Sequence, residues 1–238
     1  MSSKLLNPTT RPEVIDALVS GVDRYNPQNI SVLEDYLYHQ IRHREYDCFA
    51  NLAVLKLYQF NPDLYNPDVV INILLKSLCA APSPDFHLCV SLLSERPAPL
   101  DPDTEDHVPT LLPELQRLSD LLQRCRFPTF WDAYQSNQLS LLRDNYTVEF
   151  AGFEDSVREV VLRAVRATFR RITKERLSAY LNLQGADLDA YLSSTGWAVE
   201  GDAVVVPANP DNQVQASVVR ENIQFNQLQK LITHAYKA

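Results

Sequence analysis

Glycine is scarce in this chain: five residues in 238, about 2 % against an average usage of roughly 7 %. Glycine supplies positive φ and close backbone approach, so phosphate-cradling loops, nucleotide-binding turns and tight-hairpin sheets all consume it. Doubly wound and all-β architectures are therefore hard to build here, whereas helices need almost none. No G-x-S-x-G, G-x-G-x-x-G or G-x-x-x-x-G-K-[ST] occurs, so the common nucleophile elbow and phosphate cradles are absent. Cysteine is equally unpatterned: Cys48, Cys79, Cys89 and Cys125 form no C-x-x-C pair and read as reduced, mostly buried thiols. No apolar run approaches the ~18–20 residues that span a bilayer. The opening, Met1 to Pro8, lacks an apolar stretch of signal-peptide length. A cytoplasmic protein without membrane partners is expected. The net charge of −8 argues against indiscriminate binding to phosphate backbones.

What the chain does have is proline, fifteen residues of it, and 45 % hydrophobic residues, enough for a substantial core. Asn-Pro occurs at Asn7-Pro8, Asn26-Pro27, Asn61-Pro62, Asn66-Pro67 and Asn209-Pro210. Asn accepts backbone N–H bonds at an N-cap, and Pro at the first helical position removes a donor that would be orphaned anyway. Between these marks the spacing predicts helices near 11–24, 27–44, 47–60, 67–80 and 84–96. Leu52, Leu55 and Tyr58, and Val70, Leu74 and Leu78, belong to segments apolar around most of their circumference, so each should lie between neighbouring helices. Short connections make these antiparallel hairpins, a HEAT- or TPR-like solenoid without the tetratricopeptide residue signature. An acidic, proline-rich stretch at 97–109 reads as an exposed insertion. Helix resumes near 111–126 and 128–138, and a long helical segment is expected over 154–172.

Thr173 can cap a helix burying Leu177, Tyr180 and Leu181. Gly185 opens a second with Leu188, Tyr191 and Leu192 inward, ended by Gly196. Two short β runs, 197–200 and 203–206, join through Gly201-Asp202. This is the winged-helix order. The expected fold is mainly α: a helical-repeat unit over 1–138, then a winged-helix unit over 139–238 with a small β-hairpin and a C-terminal helix.

Chemistry is harder to find. His39 and His43 stand at i, i+4, but Gln40 occupies the place of a hydrolytic base and a third ligand is missing, so a solvated helix face is the preferred reading. Cys79, His87 and Cys89 read as helix packing, not as metal ligands. Asp101, Asp103, Glu105 and Asp106 lack the Gly and terminal Glu of a calcium loop. No catalytic, metal or cofactor site is assigned, and no enzyme is expected. The would-be recognition helix, 185–195, has no Lys or Arg and carries Asp187 and Asp189 near its start, which makes it a poor groove reader. Arg163, Arg166 and Arg170 share one face upstream, and contact with RNA or with an acidic partner is the alternative they leave open. Phe225, Leu228, Leu231, Ile232 and Tyr236 form an apolar stripe at the C-terminus. It can fold back on its own winged helix or pack beside helices of other subunits; the sequence leaves both open.

Three segments carry a family likeness. Val22-Asp-Arg-Tyr-Asn-Pro27, Asn51-Leu-Ala-Val-Leu-Lys-Leu-Tyr-Gln-Phe-Asn-Pro62 and Gly152-Phe-Glu-Asp-Ser-Val-Arg158 resemble the subunit K family of eukaryotic translation initiation factor 3, from about residue 14 to 232. That family belongs to the PCI-type scaffold subunits. The resemblance implies a non-catalytic subunit that assembles with other PCI subunits, most directly subunit L, through its winged helix and C-terminal helix. It implies action in translation initiation with the 40S ribosomal subunit through the complex.

Overall fold

A computed structural model describes residues 8, 10–93, 105–213 and 225–236 of the chain. The 97–104 part of the expected insertion, with Asp101 and Asp103, lies outside the described residues. Asparagine–proline pairs start two of the turns as expected. The Asn66 side chain accepts from the Asp68 and Val69 amides with Pro67 at the first helical position, and Asn26 accepts from Gln28 ahead of a 3-10 turn. Asn61 instead donates to the Leu57 carbonyl, and only a 3-10 turn, Pro62–Leu64, follows. Asn209 closes a turn, its Oδ1 accepting from the Asp211 and Asn212 amides. At these four pairs Asn-Pro marks a turn, and it opens a full α-helix directly only where an apolar run follows.

The helical stack comprises α1 (Glu13–Ser20), α2 (Ile30–His43), α3 (Cys48–Phe60), α4 (Pro67–Leu78), α5 (Asp85–Leu93), α6 (Val108–Gln123) and α7 (Phe127–Gln135). Helix α4 is its axis. Among its twelve residues only Asp68 is exposed. Helices α2, α3, α5 and α6 all pack against it, as a helix apolar on every side requires. Helix α6 begins at Val108, three residues before the expected start, because Pro109 sits in its first turn, where no intrahelical N–H is needed.

Helix α8 (Phe153–Thr168) ends earlier than the sequence suggests. Phe169 turns extended, and Arg171–Thr173 forms a strand, β1, ahead of α9 (Lys174–Leu181), α10 (Gly185–Thr195), β2 (Ala198–Glu200) and β3 (Ala203–Val205). The expected two-stranded hairpin is therefore a three-stranded antiparallel sheet in the order β1-β3-β2. Ile172 opposes Val204, and both are buried. A three-residue strand is too short to reveal its period in sequence, and its partner lies thirty residues on. Gly201, at φ +61°, makes the turn between β2 and β3; a side chain there would be strained. The fold is mainly α, a helical stack followed by a winged-helix unit. One continuous core runs from Ile15 to Val206. Trp131 on α7 donates to the Tyr180 carbonyl of α9 at 2.9 Å, and Arg163 on α8 donates to the Ala81 carbonyl at 2.9 Å, fastening stack and winged unit together.

Asp47 and Lys76 are buried charges within the stack. Asp47 caps α3 through the Ala50 amide and receives the Arg11 guanidinium on both oxygens, at 2.6 and 2.8 Å, with both side chains buried. Lys76, in the last turn of α4, is 4 % exposed. Its ammonium donates to the Gln40 carbonyl at 3.1 Å and lies 4.9 Å from the centre of the Phe150 ring. It has no carboxylate in ion-pair range among the described residues, and burial lowers its pKa from 10.5 to about 8.

These two charges predict opposite outcomes. Asp47→Ala leaves the buried Arg11 without its bidentate partner and removes the α3 cap, and should cost about 3–5 kcal/mol by urea denaturation; a loss below about 1 kcal/mol contradicts this account. Lys76→Met should stabilise the chain at pH 7 by about 1–3 kcal/mol, because the Gln40 carbonyl keeps its bond from the Glu45 amide. The folded chain releases the Lys76 proton near pH 8, while the unfolded chain holds it to about 10.5. Between those values the unfolded state binds more protons, so the wild type gains stability with rising pH and the gap to the variant closes. Cys48 and Cys79, both pushed up to about 12 by burial, act with the opposite sign above pH 9, but equally in both proteins. A gap that stays constant from pH 7 to 10 contradicts the assignment.

Candidate subunit interface

The C-terminal helix, α11 (Phe225–Ala235), has a clear apolar stripe that its described side chains leave exposed. Phe225 is 85 % exposed, Leu228 44 %, Ile232 50 %, and Tyr236, just beyond the helix, 89 %. Leu231 lies in the helix, and its side chain falls outside what is described. Every described side chain of α11 is exposed. A helix this short is marginal alone in water, and its described apolar side chains remain exposed. Strand β2, with Ala198, Val199 and Glu200 all exposed, forms one edge of the sheet nearby in sequence.

The three arginines of the basic face are each engaged in the fold. Arg163 holds the Ala81 carbonyl, Arg166 lies over the Trp197 ring at 5.8 Å, and Arg170 donates to the Asn212 carbonyl at 2.7 Å. The neighbouring cations are paired with acids: Arg158 with Glu154 and Asp155 at 2.9 Å, Arg171 with Glu200 at 2.8 Å, and Lys174 with Asp189 at 2.6 Å. The local positive excess in sequence is thus largely taken up within the winged unit. Asp187 and Asp189 face outward from α10, whose buried face is Leu188 and Leu192.

Of the described polar groups noted in sequence, only the two histidines of α2 meet. His39 and His43 stack on each other with centroids 4.0 Å apart, and His43 Nδ1 lies 3.0 Å from the His39 carbonyl. His87 is exposed and meets Gln123, Cys89 is buried in the core and Cys79 is half-buried. Asp106 accepts from the Val108 amide at the start of α6, and Glu105 lies 3.7 Å from His107. No group of three His, Cys, Asp or Glu is arranged to hold a metal among the described residues. Lys76, Trp131 and Trp197 make contacts between elements that sequence reasoning does not single out. A signal for Lys76 does exist: one lysine inside a helix apolar on all sides.

Residues 64–218, from the 3-10 turn before α4 to beyond the sheet, match the sequence model of the CSN8/PSMD8/EIF3K family. The chain belongs to this family. Among curated proteins it is 42 % identical over 270 aligned positions to "Eukaryotic translation initiation factor 3 subunit K" of Mycosarcoma maydis, covering 98 % of this chain and 95 % of that protein. It is 43 % identical to the protein of the same name from Cryptococcus neoformans var. neoformans serotype D, covering 96 % and 93 %. The Phaeosphaeria nodorum protein of that name is 38 % identical, covering 95 % of each. The matched region carries the stack axis and the whole three-stranded sheet with its helices, while α1, α2, α3 and α11 lie outside it. No described helix is long and apolar enough to cross a membrane.

Because α11 buries none of its described side chains, Leu228→Asp and Ile232→Asp should leave the isolated chain's stability within about 0.5 kcal/mol of wild type. Thermal denaturation of the two variants checks this. A loss of about 2 kcal/mol instead shows that the helix packs on its own chain in solution.

Proposed function

We propose that the chain is a non-catalytic subunit of eukaryotic translation initiation factor 3, acting in the cytoplasm as a protein–protein scaffold. It comprises a helical-repeat unit over 1–138 and a PCI-type winged-helix unit over 139–238. It associates with other PCI subunits, most directly subunit L, and works with the 40S ribosomal subunit through the assembled complex. The relatives' shared name and near-full-length similarity support membership of the complex. The observation that carries the scaffold role is the exposed stripe of α11. Four large apolar side chains in water are unfavourable, and a partner helix would recover roughly 1.5–3 kcal/mol for each one fully buried. The stripe's ends are also the most exposed, as expected of a surface that waits for another molecule.

An RNA-contacting winged helix is the weaker reading. Arg163, Arg166 and Arg170 hold backbone carbonyls or a ring of this chain, and the helix that would enter a groove presents Asp187 and Asp189.

The triple variant Leu228→Asp, Leu231→Asp, Ile232→Asp tests the proposal by co-purification with subunit L from cells expressing the whole complex. Recovery should fall at least about tenfold, since two lost apolar anchors exceed the ~1.4 kcal/mol that one decade requires. Undiminished recovery sinks the interface.

A further inference from the structure

A cleft of about 770 Å³ opens between the stack and the winged unit, and no described residue of α11 lines it. Its walls come from the end of α2, the last turn of α4, the first half of α8 and the outer face of α10. Arg44, Lys76 and Arg163 line it, together with Asp155, Glu159 and Tyr191. In a chain of net charge −8, three cations against two acids make this a locally positive hollow. Arg44 and Asp155 pair at 3.4 Å, and Arg158 also reaches Asp155 at 2.9 Å, which leaves Lys76 and Arg163 against Glu159.

Two groups in the wall have unused hydrogen-bonding capacity. The Lys76 ammonium has three donors, and its hydrogen bond is to the Gln40 carbonyl. The Tyr191 hydroxyl is buried without any hydrogen-bond partner among the described residues. Burial pushes its pKa up to about 12, so it stays a phenol and a donor at neutral pH. A buried donor left unsatisfied is unfavourable, and so is a buried ammonium with no described carboxylate in ion-pair range, although Glu45 acts on it from farther off. A methionine at 76 would fit the same helix face without either penalty. The Gln40 carbonyl and the Phe150 ring leave part of the ammonium's donor capacity unused, and the lysine stands in the cleft wall.

We propose that this cleft binds a small multiply charged oxyanion, its carboxylate or phosphate oxygens accepting from the Lys76 ammonium and the Tyr191 hydroxyl, with Arg44 and Arg163 providing the surrounding positive field. The volume suits a small molecule. Glu159 also lines the cleft, close enough to raise the Tyr191 pKa, and disfavours anions too large to keep clear of it. Nothing in the scaffold role requires such a site, and the two use different residues.

Isothermal titration of the full chain with citrate, and separately with inorganic phosphate, both at fixed ionic strength in chloride, tests the proposal. Wild type should bind at least one of the two anions. Affinity should fall about tenfold or more in Lys76→Met and measurably in Tyr191→Phe, a variant that only removes an unpartnered oxygen. Citrate alone binding points to a polycarboxylate, and phosphate alone to a phosphorylated compound. As an independent readout, the Lys76 Cε resonance should show the ammonium retaining its proton to higher pH when the bound anion is present. The absence of binding by both anions, or equal binding by Lys76→Met and wild type, overturns the site and leaves the cleft a solvent-filled gap.

Discussion

Everything in the stack is arranged around one constraint: α4 is apolar on every side and must be enclosed. An amphipathic helix can rest on one neighbour, but Val69 to Leu78 present no face that water can take. Helices α2, α3, α5 and α6 supply the enclosure, and α2 and α6 turn their own polar faces outward to water. That requirement fixes the layering more firmly than any single hydrogen bond. It also makes Lys76 costly, since the enclosure traps its charge.

The winged unit shares the stack's apolar core, and polar groups at its margin fasten it there. Trp131 reaches the Tyr180 carbonyl, Arg158 donates to the Leu181 carbonyl while lying 5.6 Å from the Trp131 ring centre, and Arg163 holds the Ala81 carbonyl. All three carbonyls lie at or beyond helix ends, where orphan acceptors are left over. Arginine suits the task because its planar fork donates in several directions while its face stacks on indole. The basic run from Arg158 to Lys174 is therefore an internal fastening. In sequence it has the charge density of a nucleic-acid surface; in space most of that charge points at the molecule's own carbonyls and carboxylates.

The parts of the fold that follow from local rules are legible in the amino-acid sequence. Asn66-Pro67 starts a helix by capping, Gly196 ends one, Gly201 turns the wing, and the apolar circumference of α4 demands burial. What is not legible depends on distant partners. Strand β1 looks like the end of α8 because Val165 to Thr168 keep the helical rhythm, and only pairing with Ala203–Val205 reveals the switch. The same holds for Arg163, Arg166 and Arg170, whose three partners lie from 31 to 82 residues away along the chain. The apolar stripe of α11 is visible as a pattern, yet whether it is covered is a tertiary question that periodicity alone does not answer.

The cleft and α11 also illustrate how one scaffold separates two kinds of surface. At α11 the apolar groups are continuous and exposed, and binding there is favoured by removing them from water. In the cleft the key groups are few, polar and already out of water, so binding is favoured by satisfying donors whose desolvation has been met in folding. The first surface tolerates adjustment, because apolar contact is non-directional; the second does not, because Lys76 and Tyr191 are held by α4 and α10. A rigid enclosure around α4 is what allows the second kind to exist, since a lysine free to swing into solvent would recover its hydration and have no need of an anion.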